Sequence, residues 1–142
     1  MTSRGFVISL AAALGVAVGG PVLAQGAART VNDGVFTAAQ AERGKAVYAN
    51  DCALCHGPDL TGGGGGPTLS GPFWAAWNGR SVGDLFNLVK GSMPSDGPGR
   101  LSDQEYADIV AYLLSANRLA PGQSELPADP DRLSAVAIVP RR

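Results

Sequence analysis

The sequence predicts an all-α domain of helices packed around one bound group and joined by long Gly/Pro-rich loops. Three observations carry that expectation. Apolar residues recur at helical spacing in separate stretches, each opened by a capping signal. Twenty glycines and ten prolines in 142 residues demand extended loops between them. Aromatic residues are only 6%, so a core poor in large side chains needs help from a bound group. At 45% hydrophobic and 16% charged, the chain reads as a single folded domain. Its net charge is −1 and it holds no Lys/Arg block, which argues against nucleic acid as a partner.

The chain opens on an expected export signal. Arg4 is followed by an apolar stretch from Phe6 to Val18, then by Gly19, Gly20 and Pro21, which break a helix. This stretch of thirteen residues, interrupted only by Ser9 and Gly15, is too short for a membrane span, which needs about 20. Val22-Leu23-Ala24 offers small residues at the signal-peptidase positions, so residues 1–24 are expected to be a signal peptide cleaved after Ala24. Removing 24 of 142 residues leaves 118, at net −2, for the periplasm.

Residues 25–37 read as a polar lead-in without a period. Thr37 to Gln40 has capping-box spacing, and a helix is expected over 38–50 with Ala41, Gly44 and Tyr48 on one stripe. Gly44 inside that helix costs about 1 kcal/mol relative to alanine, which a close approach by another helix would explain. Residues 57–72 read as loop, with the five-glycine run Gly62–Gly66 as a flexible spacer. A short helical turn over 72–78 carries Phe73, Trp74 and Trp77. Ser81 caps a helix to Lys90 with Val82, Leu85, Phe86 and Val89 on one face, ended by Gly91. Ser92 to Arg100 is loop. Ser102 and Glu105 form a second capping box, opening a helix to Ala116 with the strongest period in the chain. The Pro-rich extension, 117–142, includes an apolar run from Ala135 to Val139 suited to an edge strand.

The scarce residues carry the chemistry. Cys52-Ala53-Leu54-Cys55-His56 holds both cysteines and the one histidine. Three residues of separation is close to one helical turn, so both thiols face one way and can add to the two vinyl groups of one porphyrin edge. The adjacent imidazole then reaches the iron. Other uses of the motif fit less well. A thioredoxin-type redox pair belongs beside a βαβ pattern, and none is visible. An exported C-x-x-C can close a small disulfide. A zinc site needs four ligands, and the cysteines and histidine stop at three. Ser-His-Asp catalysis would have to use His56 itself.

With His56 as one axial ligand, methionine sulfur is the ordinary second. Met1 leaves with the leader, so Met93, in a Gly/Pro loop between two amphipathic helices, is the candidate. A thioether stabilises Fe(II), so a His/Met iron has a raised potential and no open position.

On Cys52–His56 with Gly57, and on Gly91-Ser92-Met93-Pro94, the chain resembles a class I c-type cytochrome over about residues 38–116. The resemblance implies a class I cytochrome c fold with one covalent haem c. Cys52 and Cys55 would anchor it, and His56 and Met93 would be the iron ligands. Gly44 and Tyr48 resemble the family's first-helix glycine and aromatic. Tyr112 resembles the last-helix aromatic crossing them. Pro67 resembles the proline whose carbonyl accepts the His Nδ1–H. Trp77 and Arg80, and less so Trp74, are candidates for the haem wall and propionates. Segments 119–122 and 125–129 are similar to those of small cytochromes beside quinoprotein dehydrogenases. The expected function is periplasmic one-electron transfer from a dehydrogenase, such as a quinoprotein, to an oxidase or reductase. With only Lys45 and Lys90 in the domain, strongly basic docking is not expected. The alternatives are a haem-based gas sensor or peroxidase-like protein with a labile Met93, and a non-haem thiol protein.

Overall fold

The computed structural model describes residues 29–142. The expected leader and its cleavage site lie outside the described residues. Six helices and two short strands follow in the order β1 (Arg29–Thr30), α1 (Ala38–Asp51), α2 (Ala53–His56), α3 (Pro72–Trp77), α4 (Val82–Ser92), α5 (Asp103–Ala116), α6 (Pro130–Ser134) and β2 (Val136–Ala137). No helix among the described residues is long and apolar enough to cross a membrane.

The capping signals set the helix starts. Thr37 accepts the Gln40 N–H at the head of α1. Ser81 with Asp84, and Ser102 with Glu105, form full reciprocal boxes at α4 and α5. The first box is only half made, because the Gln40 side chain is used elsewhere. It is fully buried, donating Nε2–H to the Leu126 carbonyl and accepting the Leu126 N–H, so α1 holds the tail instead of its own cap. Helix α4 runs through Gly91 to Ser92 and is capped by Met93, two residues beyond the stop that Gly91 predicts. The bond from Met93 N–H to the Val89 carbonyl extends the last turn.

Helices α1 and α5 cross where Gly44 meets Asp108. A Cβ on Gly44 would overlap the Asp108 carbonyl and lie 2.9 Å from the Ile109 nitrogen, so only glycine permits this approach. One turn further on, the Tyr48 and Tyr112 rings pack with centroids 5.1 Å apart. Arg43 pins the crossing at its edge, bonded to Asp108 and to Glu125 of the tail.

Both flanks belong to the same core. Val31, Val35 and Phe36 from the lead-in, and Leu119, Leu126, Leu133, Val136 and Ile138 from the extension, are buried with the helices. Strand β2 lies within the apolar run 135–139 and pairs parallel with β1. Helix α6 starts at Asp129, which accepts the Asp131 and Arg132 N–H groups, with Pro130 in the first turn. It sits on Gly83 of α4, where a Cβ would come within 2.8 Å of the Pro130 carbonyl.

Candidate functional site

Helix α1 ends at Cys52, whose backbone N–H donates to the Tyr48 carbonyl, and the chain turns directly into the four-residue helix α2. The two thiols are thus one turn apart at a helix corner. Both are free and both line one cavity of about 610 Å³. Burial pushes the Cys52 thiol up to about 11, with the Asp51 carboxylate adding to the shift. A thiol so far from ionising is a poor redox nucleophile, which argues against the thioredoxin-like use of the motif.

His56 lines the same cavity and is buried. Its Nδ1 lies 2.8 Å from the Pro67 carbonyl oxygen. A carbonyl only accepts, so Nδ1 carries the proton of this bond and Nε2 is the ring nitrogen left for a metal. Imidazole in that tautomer is a metal ligand with its orientation fixed by a bond outside the coordination sphere.

The glycine run is a fitted cover, not a flexible spacer. Gly62 N–H donates to the His56 carbonyl (2.8 Å), and Gly64 and Gly66 N–H both donate to the Cys55 carbonyl (3.0 Å each). A Cβ on Gly64 would overlap the Leu54 carbonyl oxygen, and one on Gly66 would stand 2.9 Å from His56 Nδ1. The run therefore lies flat on α2, satisfies the carbonyls at its end and delivers Pro67 to the imidazole.

Met93 lines the cavity from the end of α4. Its carbonyl accepts the Tyr106 hydroxyl at 2.8 Å, which ties the start of its loop to α5. Between these polar groups the walls are mainly apolar, with Leu69, Phe73, Leu85, Val89 and Leu113 among them. Tyr48 also lines the cavity and donates its hydroxyl to the Gly57 carbonyl at 2.7 Å; burial pushes this phenol up to about 12, so it stays protonated.

Trp77 and Arg80 are not brought to this cavity. Trp77 is buried against Phe73, and the Arg80 guanidinium stacks over its ring at 4.9 Å. Phe73 and Trp77 lie four residues apart on one face of α3, with ring centroids 5.9 Å apart, and Phe73 is the one of the two that lines the cavity. Trp74 borders a separate groove with Asn78, Arg118 and Arg141, and its Nε1 is buried without a partner among the described residues. The cationic side chain at the cavity is Arg100, paired with Asp51 and Asp96. Sequence reasoning missed Arg100, Asp51 and Tyr106, because no local pattern announces a pairing 49 residues apart.

Two thiols one turn apart, an imidazole with a free Nε2 and a thioether converge on an apolar cavity in the size range of a cofactor pocket. That donor set and that lining fit an iron porphyrin. Residues 39–113, more than half of the chain, match the family described as cytochrome C oxidase, cbb3-type, subunit III, and the chain belongs to this family of c-type cytochromes. It carries covalently bound haem c, and its chemistry is haem-based electron transfer.

Among its relatives is a thiosulfate dehydrogenase of Stutzerimonas stutzeri (strain A1501), 34% identical over 83 residues. The match spans 54% of this chain and only 27% of that relative. Among solved structures, the crystal structure of the sulfane dehydrogenase SoxCD from Paracoccus pantotrophus is similar, with a TM-score of 0.50 and 22% identity. That likeness covers 79% of this chain and 61% of the other, and it speaks for the fold.

Proposed function

We propose that this protein is a periplasmic one-electron carrier whose haem is anchored by Cys52 and Cys55 and ligated by His56 and Met93. The observation that carries the reading is the convergence of both thiols, the imidazole and the thioether on one apolar cavity. The bound haem supplies a single Fe(II)/Fe(III) couple. The chain's own residues do the rest. Pro67 fixes the imidazole and raises its basicity through the Nδ1–H bond. The Met93 thioether would be the second iron ligand, a soft donor that favours Fe(II). The apolar walls exclude water and so limit solvent rearrangement when the charge on the iron changes.

The electron donor is proposed to be a periplasmic dehydrogenase. The named relatives, a thiosulfate dehydrogenase and a sulfane dehydrogenase, support a donor that oxidises small sulfur compounds. The tail segments favour a quinoprotein donor on sequence grounds. An oxidase or reductase would accept the electron. Residues 38–116 are proposed to be the haem-binding unit, with 25–37 and 117–142 as its flanks.

The test is Met93→Ala in protein matured with haem. The variant should keep its covalent haem, lose the weak long-wavelength band of sulfur-bound ferric iron, bind cyanide rapidly and show a markedly lower potential. An unchanged potential would assign the second ligand elsewhere. Fast cyanide or CO binding by the unaltered protein would support the sensor or peroxidase reading in its place.

A further inference from the structure

We propose that Arg100 is a positioning residue: its ion pair with Asp51 straps the Met93 loop to the end of α1 and sets how readily Met93 leaves the iron. The proposal rests on the His/Met reading above. The segment from Met93 to Leu101 holds two prolines and two glycines and forms neither helix nor strand. Its start is fixed twice, by the Met93 N–H to the Val89 carbonyl and by the Tyr106 hydroxyl to the Met93 carbonyl, each at 2.8 Å.

The far half is held differently. Gly97 N–H donates to the Pro94 carbonyl, Arg100 N–H donates to the Gly97 carbonyl, and the Arg100 guanidinium bonds Asp96 at 3.0 Å. All three bonds close the loop on itself and attach it to nothing else. The second arm of the guanidinium reaches Asp51 at 2.6 Å, and this is the side-chain bond that ties the far half to another element among the described residues. The nearby Lys90–Asp103 pair joins α4 to α5 and leaves the loop between them untouched.

The position of Asp51 points the same way. It is the last residue of α1, where the helix dipole disfavours a negative charge, and the last turn has no basic residue to offset it. Arg100 supplies the missing cation from across the fold. Asp51 directly precedes Cys52, and Asp51 and Arg100 both line the haem cavity. The pair therefore joins the wall carrying the thiols to the loop carrying the thioether. Arg100 is 41% exposed and Asp51 21%, so the strap is partly open to solvent, modest in strength and sensitive to salt.

The test measures cyanide binding to ferric holoprotein at pH 7, where the ligand is uncharged HCN and its own attraction to the protein is not screened. Opening of the loop limits that rate when Met93 must leave first. Arg100→Gln and Asp51→Asn should each raise it about two- to fivefold. The double variant should be no faster than Arg100→Gln, because that substitution already removes the Asp51 bond along with the loop's own bond to Asp96. Added KCl should speed the wild type towards the variants and leave Arg100→Gln unmoved. Arg100→Lys, which keeps the charge, should stay nearer the wild type and guards against a loss of folding in the Gln variant. Unchanged rates, or rate effects that multiply in the double variant, would overturn the strap. A wild-type protein that lacks the sulfur-iron band and binds HCN at once would instead overturn the His/Met reading beneath it.

Discussion

Gly64→Ala separates two descriptions of the glycine run with opposite signs. In a flexible spacer, replacing glycine by alanine restricts the unfolded chain and stabilises the protein by about 0.4–1 kcal/mol. The structure demands the reverse. A Cβ at position 64 would overlap the Leu54 carbonyl oxygen, lie 2.9 Å from its carbon and 3.0 Å from the Cys55 Cα, all of them backbone atoms that cannot rotate away. Relief requires the run to lift by roughly 1 Å, which forfeits close contacts along the seam. It also breaks the bonds from Gly64 and Gly66 to the Cys55 carbonyl, each worth about 0.5–1.5 kcal/mol. Adding overpacking strain and subtracting the chain-entropy gain leaves a net loss of about 2–3 kcal/mol. For a domain of this size, that lowers the melting temperature by about 8–12 °C. Guanidinium and thermal unfolding of the haem-loaded protein read this directly. Gly91→Ala is the control, because it lies in α4 with nothing near its Cβ and should gain up to about 1 kcal/mol. A Gly64→Ala protein as stable as the wild type would mean the run does not lie on α2.

Three further substitutions follow from the same geometry. Gln40→Leu strands the Leu126 N–H and carbonyl in the core, so it should destabilise by about 2–4 kcal/mol and speed hydrogen exchange at the Leu126 amide. Arg80→Gln should leave the haem potential where it is, since Arg80 stacks on Trp77 away from the cavity; a shifted potential would restore it to a propionate role. The third concerns acid. Bonds from the Ser102 N–H and hydroxyl hold the Glu105 carboxyl below the usual glutamate range. A lowered folded-state value means that stabilisation is present above the unfolded value, about 4.3, and is lost as pH falls through the folded one. The melting temperatures of wild type and Glu105→Gln should therefore differ at pH 7 and converge in acid, and a gap of constant size across the acid range would contradict this.

Helix existence was legible because it rests on local physics. Thr37, Ser81 and Ser102 announce helix starts within four residues, and the apolar stripes of α1, α4 and α5 select the faces that become buried. The C-x-x-C-H motif was legible for the same reason, since one helical turn sets the relation of its side chains. Gly91 misled because a glycine ends a helix by taking the left-handed conformation, and Gly91 stays helical inside α4. Trp77 and Arg80 show the other limit: residue type says what a side chain can bind, and only the fold shows that the two stack on each other.

The amino-acid order alone therefore determined helices α1, α3, α4 and α5, the attachment motif and the shortlist of iron ligands, all of which depend on neighbours within about one turn. Only the tertiary fold decided that the glycines clamp α2, that Gln40 and Arg43 bind the tail, and that Arg100 finds Asp51. Those pairings join residues as much as 86 positions apart, and their energy comes from burial and close approach that exist only once the helices have crossed.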